Sequence, residues 1–292
     1  MPYHLGDFSV WRLSEWEGPT VPLKEMLTGV TDEQIEAHRD WLQPHFLRPD
    51  HVMLIGTQCF IVRTPQHTIL IDACVGNDKP RTSEHYNRLQ TPFLQNMAQL
   101  GFSPADFDTV IITHFHIDHV GWCTRLVDDQ WIPTFPNARY IFVQDEWDYW
   151  KHLPTDDPDS QQCIRDSVMP IVAAGKADLV PADARIAEGV WLEALPGHTP
   201  GHVGVHLRSR EQEMIIIGDL MHHPIQVAEP QVGIPAFDFD YQQAVQTRVT
   251  FLQRYAGTPV WITGIHFSSP SIGRLVCEDQ RLWFDVLTRH DG

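Results

Sequence analysis

Residues 113–119 read Thr113-His114-Phe115-His116-Ile117-Asp118-His119. Four side chains able to bind a metal ion crowd into six positions, directly after the β-branched run 109–113, which predicts a short buried strand. Imidazole and carboxylate together suit zinc, iron, cobalt, nickel or manganese. In an extended stretch His114 and His116 project to the same side and can grip one ion. Asp118 and His119 fall where the next helix is expected to start, and can face a second ion.

The same design, an apolar run followed by a ligand, occurs three more times. Pro196-Gly197-His198-Thr199-Pro200-Gly201-His202 sets a histidine in a Gly/Pro loop after the run 190–194. Ile215-Ile216-Ile217-Gly218-Asp219 ends an apolar strand on a carboxylate, and Ile262-Thr263-Gly264-Ile265-His266 ends another on a histidine. Loops at strand ends are where a rigid scaffold displays chemistry. His202 is expected to make a structural hydrogen bond, and His223 to pack.

Outward from these anchors, the chain reads as one domain, 1–292, with 15–50 an N-terminal extension suited to a lid or a dimer arm. Strands are expected at 8–13, 52–63, 67–72, 109–113, 139–143, 190–194, 202–207, 214–217 and 260–263. Thr31-Asp32-Glu33-Gln34 forms a capping box that predicts a helix to Leu42. Further helices are predicted over 91–100, 144–152, 161–174 and 239–255. Two sheets packed together with helices outside follow from this pattern.

Across 292 residues the formal net charge is −17, with 21 basic against 38 acidic side chains and no basic run. Nucleic acid and anionic membrane surfaces are poor partners for such a chain, and a small-molecule substrate is expected. No stretch reaches the length of a membrane-spanning helix, no secretory signal is recognised in 1–12, and the five cysteines form no close pair. A reducing, cytoplasmic setting fits these features.

The HxHxDH motif at 114–119, the later His198, Asp219 and His266, and the early Ile71-Asp72-Ala73-Cys74-Val75-Gly76 together resemble the metallo-β-lactamase superfamily. The resemblance runs from about 52 to 276. It implies an α/β fold, an αββα sandwich of two mixed β-sheets flanked by helices. It implies two divalent ions, with zinc expected first and iron, cobalt, nickel or manganese as alternatives. His114, His116 and His198 would hold one ion and Asp118, His119 and His266 the other, with Asp219 bridging. Asp72 would orient a ligand histidine. Within the superfamily the set is most similar to the lactonases and the methyl-parathion-hydrolase-like group. It departs from the lactonases at His222, where they carry a tyrosine. Asp219 stands where the classical zinc β-lactamases use a cysteine.

The expected activity is hydrolysis of a lactone or carboxylic ester, with phosphotriester hydrolysis as a side activity and a hydroxide shared by two ions as nucleophile. Asp118 would carry a proton to the leaving group, and His222 would donate a hydrogen bond to the developing oxyanion. Phe115, Trp122 and Phe237 are candidates to line the substrate pocket. A phosphodiesterase of the same superfamily is the alternative enzyme, and a non-catalytic metal-binding protein the alternative of another class. A homodimer is expected from the resemblance.

Overall fold

The computed structural model describes residues 1–152, 156–279 and 281–287. The chain divides into two compact units, Met1–Trp16 with Thr57–Ala184, and Glu17–Gly56 with Arg185–Gly292. Two long strands, Phe8–Pro22 and Val52–Arg63, run through the points of division.

The first seven-stranded sheet has the order Tyr3–Leu5, Phe8–Pro22, Val52–Arg63, Thr68–Ile71, Thr109–Ile111, Arg139–Val143, Ala177–Val180. Its last four strands are mutually parallel. Parallel neighbours end on the same edge, and Ile71 lies opposite Ile111. The loops that begin at Asp72 and at Ile112 therefore leave the sheet side by side. A two-stranded ribbon, Thr124–Val127 with Gln130–Pro133, follows in the same unit. The core of this unit gathers Ile61, Leu70, Phe93, Met97, Phe107, Val110 and Phe142, all buried.

The second seven-stranded sheet runs Arg185–Ala187, Val190–Ala194, Val203–Ser209, Gln212–Ile216, Trp261–Thr263, Ile272–Glu278, Arg281–Val286. It is antiparallel except where Gln212–Ile216 pairs in parallel with Trp261–Thr263. There Ile216 lies opposite Thr263, so Asp219 and His266, each three residues further on, emerge from one edge. Ligand sites form outside the carboxyl ends of parallel strands for this reason.

Most sequence expectations match these elements to within a few residues. The capping box forms, with Gln34 N on Thr31 Oγ1 at 3.2 Å and Thr31 N on Gln34 Oε1 at 2.9 Å, and the helix spans Asp32–Leu42. The helix expected over 239–255 starts at Tyr241, capped by Asp240. The strand expected over 8–13 extends to Pro22. The helix expected over 161–174 is instead three consecutive segments, with a π-helical turn at Ile164–Val168. Pro170 has no N–H to give the preceding turn, and the Asp166 carbonyl accepts instead from Thr124 Oγ1 at 2.5 Å and Lys79 Nζ at 3.3 Å. The C-terminal hairpin of the second sheet was not anticipated.

Residues 15–50 contribute Leu23, Leu27, Ile35, Leu42, Phe46 and Leu47 to the buried core of the second unit, beside Ile215, Ile217, Phe251 and Phe284. His223 packs there too: its Nε2 donates to Phe46 O at 2.8 Å and its Nδ1 accepts from Ile225 N at 3.2 Å. Burial pushes the His223 pKa down to about 4, against the smaller upward pull of the Phe46 carbonyl.

Between pH 6.5 and 4 the unfolded chain therefore takes up a proton at His223 that the folded chain refuses. The contribution of this residue to stability is present above pH 6.5 and is lost as pH falls through 4, by about 3 kcal/mol. Denaturant unfolding of the wild type and of His223→Gln at pH 7, 5.5 and 4 is expected to give a shallower pH dependence for the variant. Parallel curves would contradict this origin.

Candidate metal centre

The first unit carries His114, His116, Asp118 and His119, and the second carries His198, Asp219, His222 and His266.

In the first unit the strand Thr109–Ile111 leads through Thr113 into His114, and His116 caps the short helix Ile117–Val120. The His114 ring lies 4.6 Å from that of His116 and 4.0 Å from that of His119, centroid to centroid. Asp72, in the left-handed region at φ 59°, aims its carboxylate across the parallel strand pair. Its Oδ1 accepts from Thr113 N at 2.8 Å, and its Oδ2 accepts from Thr113 Oγ1 at 2.9 Å and His119 Nδ1 at 2.9 Å. The Thr113 hydroxyl has one proton, which goes to Asp72. It therefore accepts from His114 Nδ1 at 3.1 Å. A carboxylate and a hydroxyl oxygen thus fix the proton of both rings on Nδ1, which leaves a lone pair on each Nε2. The Nε2 of His119 faces Asp118 Oδ1 at 3.6 Å. His114 and His119 are buried, while His116 and Asp118 keep partial access to solvent.

Glycine is required where this loop meets its neighbour. A Cβ on Gly121 would lie 1.7 Å from Val75 O, closer than any side chain tolerates. The close approach lets Gly121 N and Trp122 N donate to Cys74 O and Ala73 O at 2.7 and 2.6 Å.

In the second unit one oxygen is the focus. Asp219 Oδ2 lies 3.4 Å from His198 Nε2, 3.2 Å from His222 Nε2 and 3.2 Å from His266 Nε2. His266 Nδ1 donates to Gly56 O at 2.9 Å, and His198 Nδ1 donates to Asp238 Oδ1 at 2.9 Å. A carbonyl only accepts, as does an ionised carboxylate. Each Nε2 faces the Asp219 oxygen, with His266 Nε2 at hydrogen-bond distance from it. With the rings protonated these contacts are ion pairs to the carboxylate, and a divalent cation between them would take the place of the protons. Burial pushes the His198 pKa down, but hydrogen bonds and charge from Asp219 and Asp238 outweigh it and the net shift is upward. His202 orients Asp219: its Nδ1 donates to Leu195 O at 2.9 Å and its Nε2 accepts from Asp219 N at 2.9 Å.

The three aromatic candidates for the pocket sit in different surroundings. Phe115 packs edge-on against Phe142 at 4.8 Å, and Trp122 stacks on Phe93 at 4.9 Å and donates Nε1 to Glu15 at 2.7 Å. Both side chains lie in the first core, because large apolar surface next to a site is covered first by its own scaffold. Phe237 is 48% exposed, with its ring 6.5 Å from that of His222. The ring of His222, expected to serve an oxyanion, is turned onto Asp219.

Residues 53–254 match the metallo-beta-lactamase superfamily. The chain is 26% identical over 176 residues to the N-acyl homoserine lactonase AiiB of Agrobacterium fabrum, covering 54% of this chain and 60% of that one. It is 20% identical over 204 residues to an N-acyl homoserine lactonase of a Bacillus species, covering 66% and 74%. Against two mycobacterial relatives the chain spans 56% of their length. Among solved structures, a hydrolase of the beta-lactamase superfamily called AbOPH superposes with a TM-score of 0.82 at 22% identity, over 99% of this chain and 98% of that one. The dizinc quorum-quenching lactonase AidC gives 0.81 at 19% identity, over 100% and 98%. At such identities the two superpositions show the fold. Among the described residues no helix is long and apolar enough to cross a membrane.

Three supporting residues escaped the sequence reading. Thr113 relays Asp72 to His114. Glu146, buried, accepts from Phe115 N at 2.9 Å and Trp150 Nε1 at 2.8 Å, and so fixes the main chain between His114 and His116. Asp238 stands 40 positions from His198, in a segment with no periodic pattern. The next residues clasp the same loop, with Phe239 N on His198 O and Asp240 N on Gly197 O, both at 2.9 Å. Removing such a partner of a metal-binding histidine lowers metal affinity 10–100-fold. Asp238→Ala is expected to show a loss of about that size in a competitive zinc titration. Asp238→Asn, whose amide oxygen still accepts from Nδ1, should lose less. Equal affinity in all three proteins would refute the role of Asp238.

Proposed function

The chain belongs to the metallo-beta-lactamase superfamily, and from that premise we propose that it is a metal-dependent hydrolase of lactones or carboxylic esters, with His114, His116, Asp118, His119, His198, Asp219 and His266 as ligands of two divalent ions. The observation that carries the proposal is the placement of four imidazole rings. His114, His119, His198 and His266 each place Nδ1 on a protein acceptor, which turns Nε2 towards the position an ion would take. Four imidazoles prepared in one sense, with carboxylates beside them, make a donor set suited to zinc or a related ion. Such ions, when bound, polarise a carbonyl oxygen and make water acidic near neutral pH.

The remaining steps belong to side chains. Asp118 is partly open to solvent, unlike His114 and His119, so it can reach a substrate atom and move a proton to the departing alkoxide. Asp72 and Asp238 keep the ligand rings from rotating, which holds Nε2 in place through turnover. Phe237, exposed beside His222, offers an apolar surface to the acyl or aryl portion of an ester. The lactone class is favoured by the relatives named as N-acyl homoserine lactonases. The net charge of −17 is unfavourable for a polyanionic substrate.

A hydrolysis panel on metal-quantified protein tests the reading, with γ- and δ-lactones, acyl-homoserine lactones, aryl esters, a phosphotriester and a bis-aryl phosphodiester. Turnover of a lactone or ester is expected, and His116→Ala should abolish it. Asp118→Asn, assayed at saturating metal, should lose about 10²-fold or more in kcat. Two bound ions with no lactone or ester turnover, or turnover of the phosphodiester alone, would overturn the substrate class.

A further inference from the structure

His222 is used by nothing so far described. Its imidazole is 5% exposed, and Nε2 points at Asp219 Oδ2 from 3.2 Å. Its Nδ1 is buried and has no hydrogen-bond partner among the described residues. This sets it apart from His198 and His266, whose Nδ1 atoms are held. A buried ring nitrogen left without a partner costs about 1–3 kcal/mol, and one hydrogen bond to an oxygen shared with two other imidazoles is poor compensation.

The placement of the ring is nonetheless firmly set. Gln226 Oε1 accepts from both His222 N and His223 N, at 2.8 and 3.1 Å, while Gln226 Nε2 donates to Val232 O at 2.9 Å. The ring lies parallel to that of His266, with 10° between planes and 5.5 Å between centroids. Two parallel rings therefore direct their Nε2 atoms to the same carboxylate oxygen. The donor atoms of Asp219, His222 and His266 all lie within 4.8 Å of one another. Donors about 2.1 Å from one ion in tetrahedral coordination are separated by about 3.4 Å. Both Nε2–Oδ2 separations, 3.2 Å each, are close to this length.

We propose that His222 is itself a metal ligand, which with Asp219 and His266 closes a three-donor cation site carried entirely by the second unit. The inference rests on the proposed assignment of Asp219 and His266 as ligands and adds an eighth side chain to the set. Two imidazoles and one carboxylate make a nitrogen-rich site, suited to zinc, cobalt or nickel rather than to an oxygen-preferring ion. It also gives His222 a different task from that of an oxyanion donor, since a ring whose Nε2 lone pair binds a cation has no proton there to give.

Metal-stripped wild type, His222→Ala and His222→Gln are titrated with Co(II), with affinity read by competition and ligand geometry by the visible absorption bands. One Co(II) is expected to bind about 10–100-fold more weakly in both variants, with altered band positions and intensity. Unchanged affinity and spectrum would overturn the proposal. Should the variants fail to fold, a crystal structure of the zinc-loaded wild type decides: His222 Nε2 about 2.0–2.1 Å from an ion supports it, and a ring that contacts no ion overturns it. Unchanged Co(II) binding with lost lactone turnover would remove the ligand role and leave the hydrolase reading standing. Weakened Co(II) binding in variants of a wild type inert towards lactones and esters would do the reverse. A wild type that binds no Co(II) would remove both.

Discussion

The register of two parallel strand pairs is the constraint on which everything else depends. Ile71 opposite Ile111 brings the Asp72 loop beside Thr113, and Ile216 opposite Thr263 sets Asp219 beside His266. A slip of one residue in either pair would turn the ligand strands over and separate these side chains. Residues distant in sequence become neighbours through main-chain hydrogen bonds, and the side chains inherit that geometry. Buried acceptors then finish the work at single-atom resolution. At His114, His119, His198 and His266 a hydroxyl oxygen, a carboxylate or a carbonyl accepts from Nδ1 and thereby decides which nitrogen faces the candidate site.

Much of this was legible in the sequence because it is local. The strand Val52–Arg63 and the helix Asp32–Leu42 have the bounds expected of them, since an apolar run, a turn and a capping box declare themselves within a few residues. The HxHxDH segment was equally readable, because ligand spacing after a strand is a local pattern. The partners of the ligands were not. Asp72 stood out through a motif, but Asp238 and Glu146 sit in unremarkable contexts, and only the folded chain brings them to His198 and to the Phe115 amide. The surroundings of the aromatic residues were hidden for a related reason. Phe115 and Trp122 flank ligands in sequence, yet alternation and the turn into the helix send them to the core. Residues 15–50 gave a capping box but no hint that Leu23, Leu27 and Phe46 would complete a core built mainly from residues beyond 185.

The electrostatics of each unit follow from burial. Asp166 in the first unit is bound at its carboxylate by Arg81 at 2.6 and 3.1 Å, and Lys79 stands 3.6 Å away. Burial still pulls the Lys79 pKa down to about 8, against the upward pull of Asp166. Two cations on one carboxylate, all hidden from water, make the π-helical turn a rigid support rather than a loose irregularity. The acidic excess of the chain lies elsewhere, on surfaces exposed to solvent.

Arg248 has a consequence of another kind. Its guanidinium is buried, and it reaches Leu220 O at 2.8 Å, Pro230 O at 2.7 Å and Val232 O at 2.9 Å. All three acceptors are main-chain carbonyls, which every residue type supplies. The segment around 230–232 is thus fastened by a grip that does not read side chains. Substitutions there can accumulate without loosening the anchorage, so this stretch is free to diverge while Asp219, one residue before an anchored carbonyl, stays where it is. The scaffold separates what must be inherited unchanged from what can be rewritten.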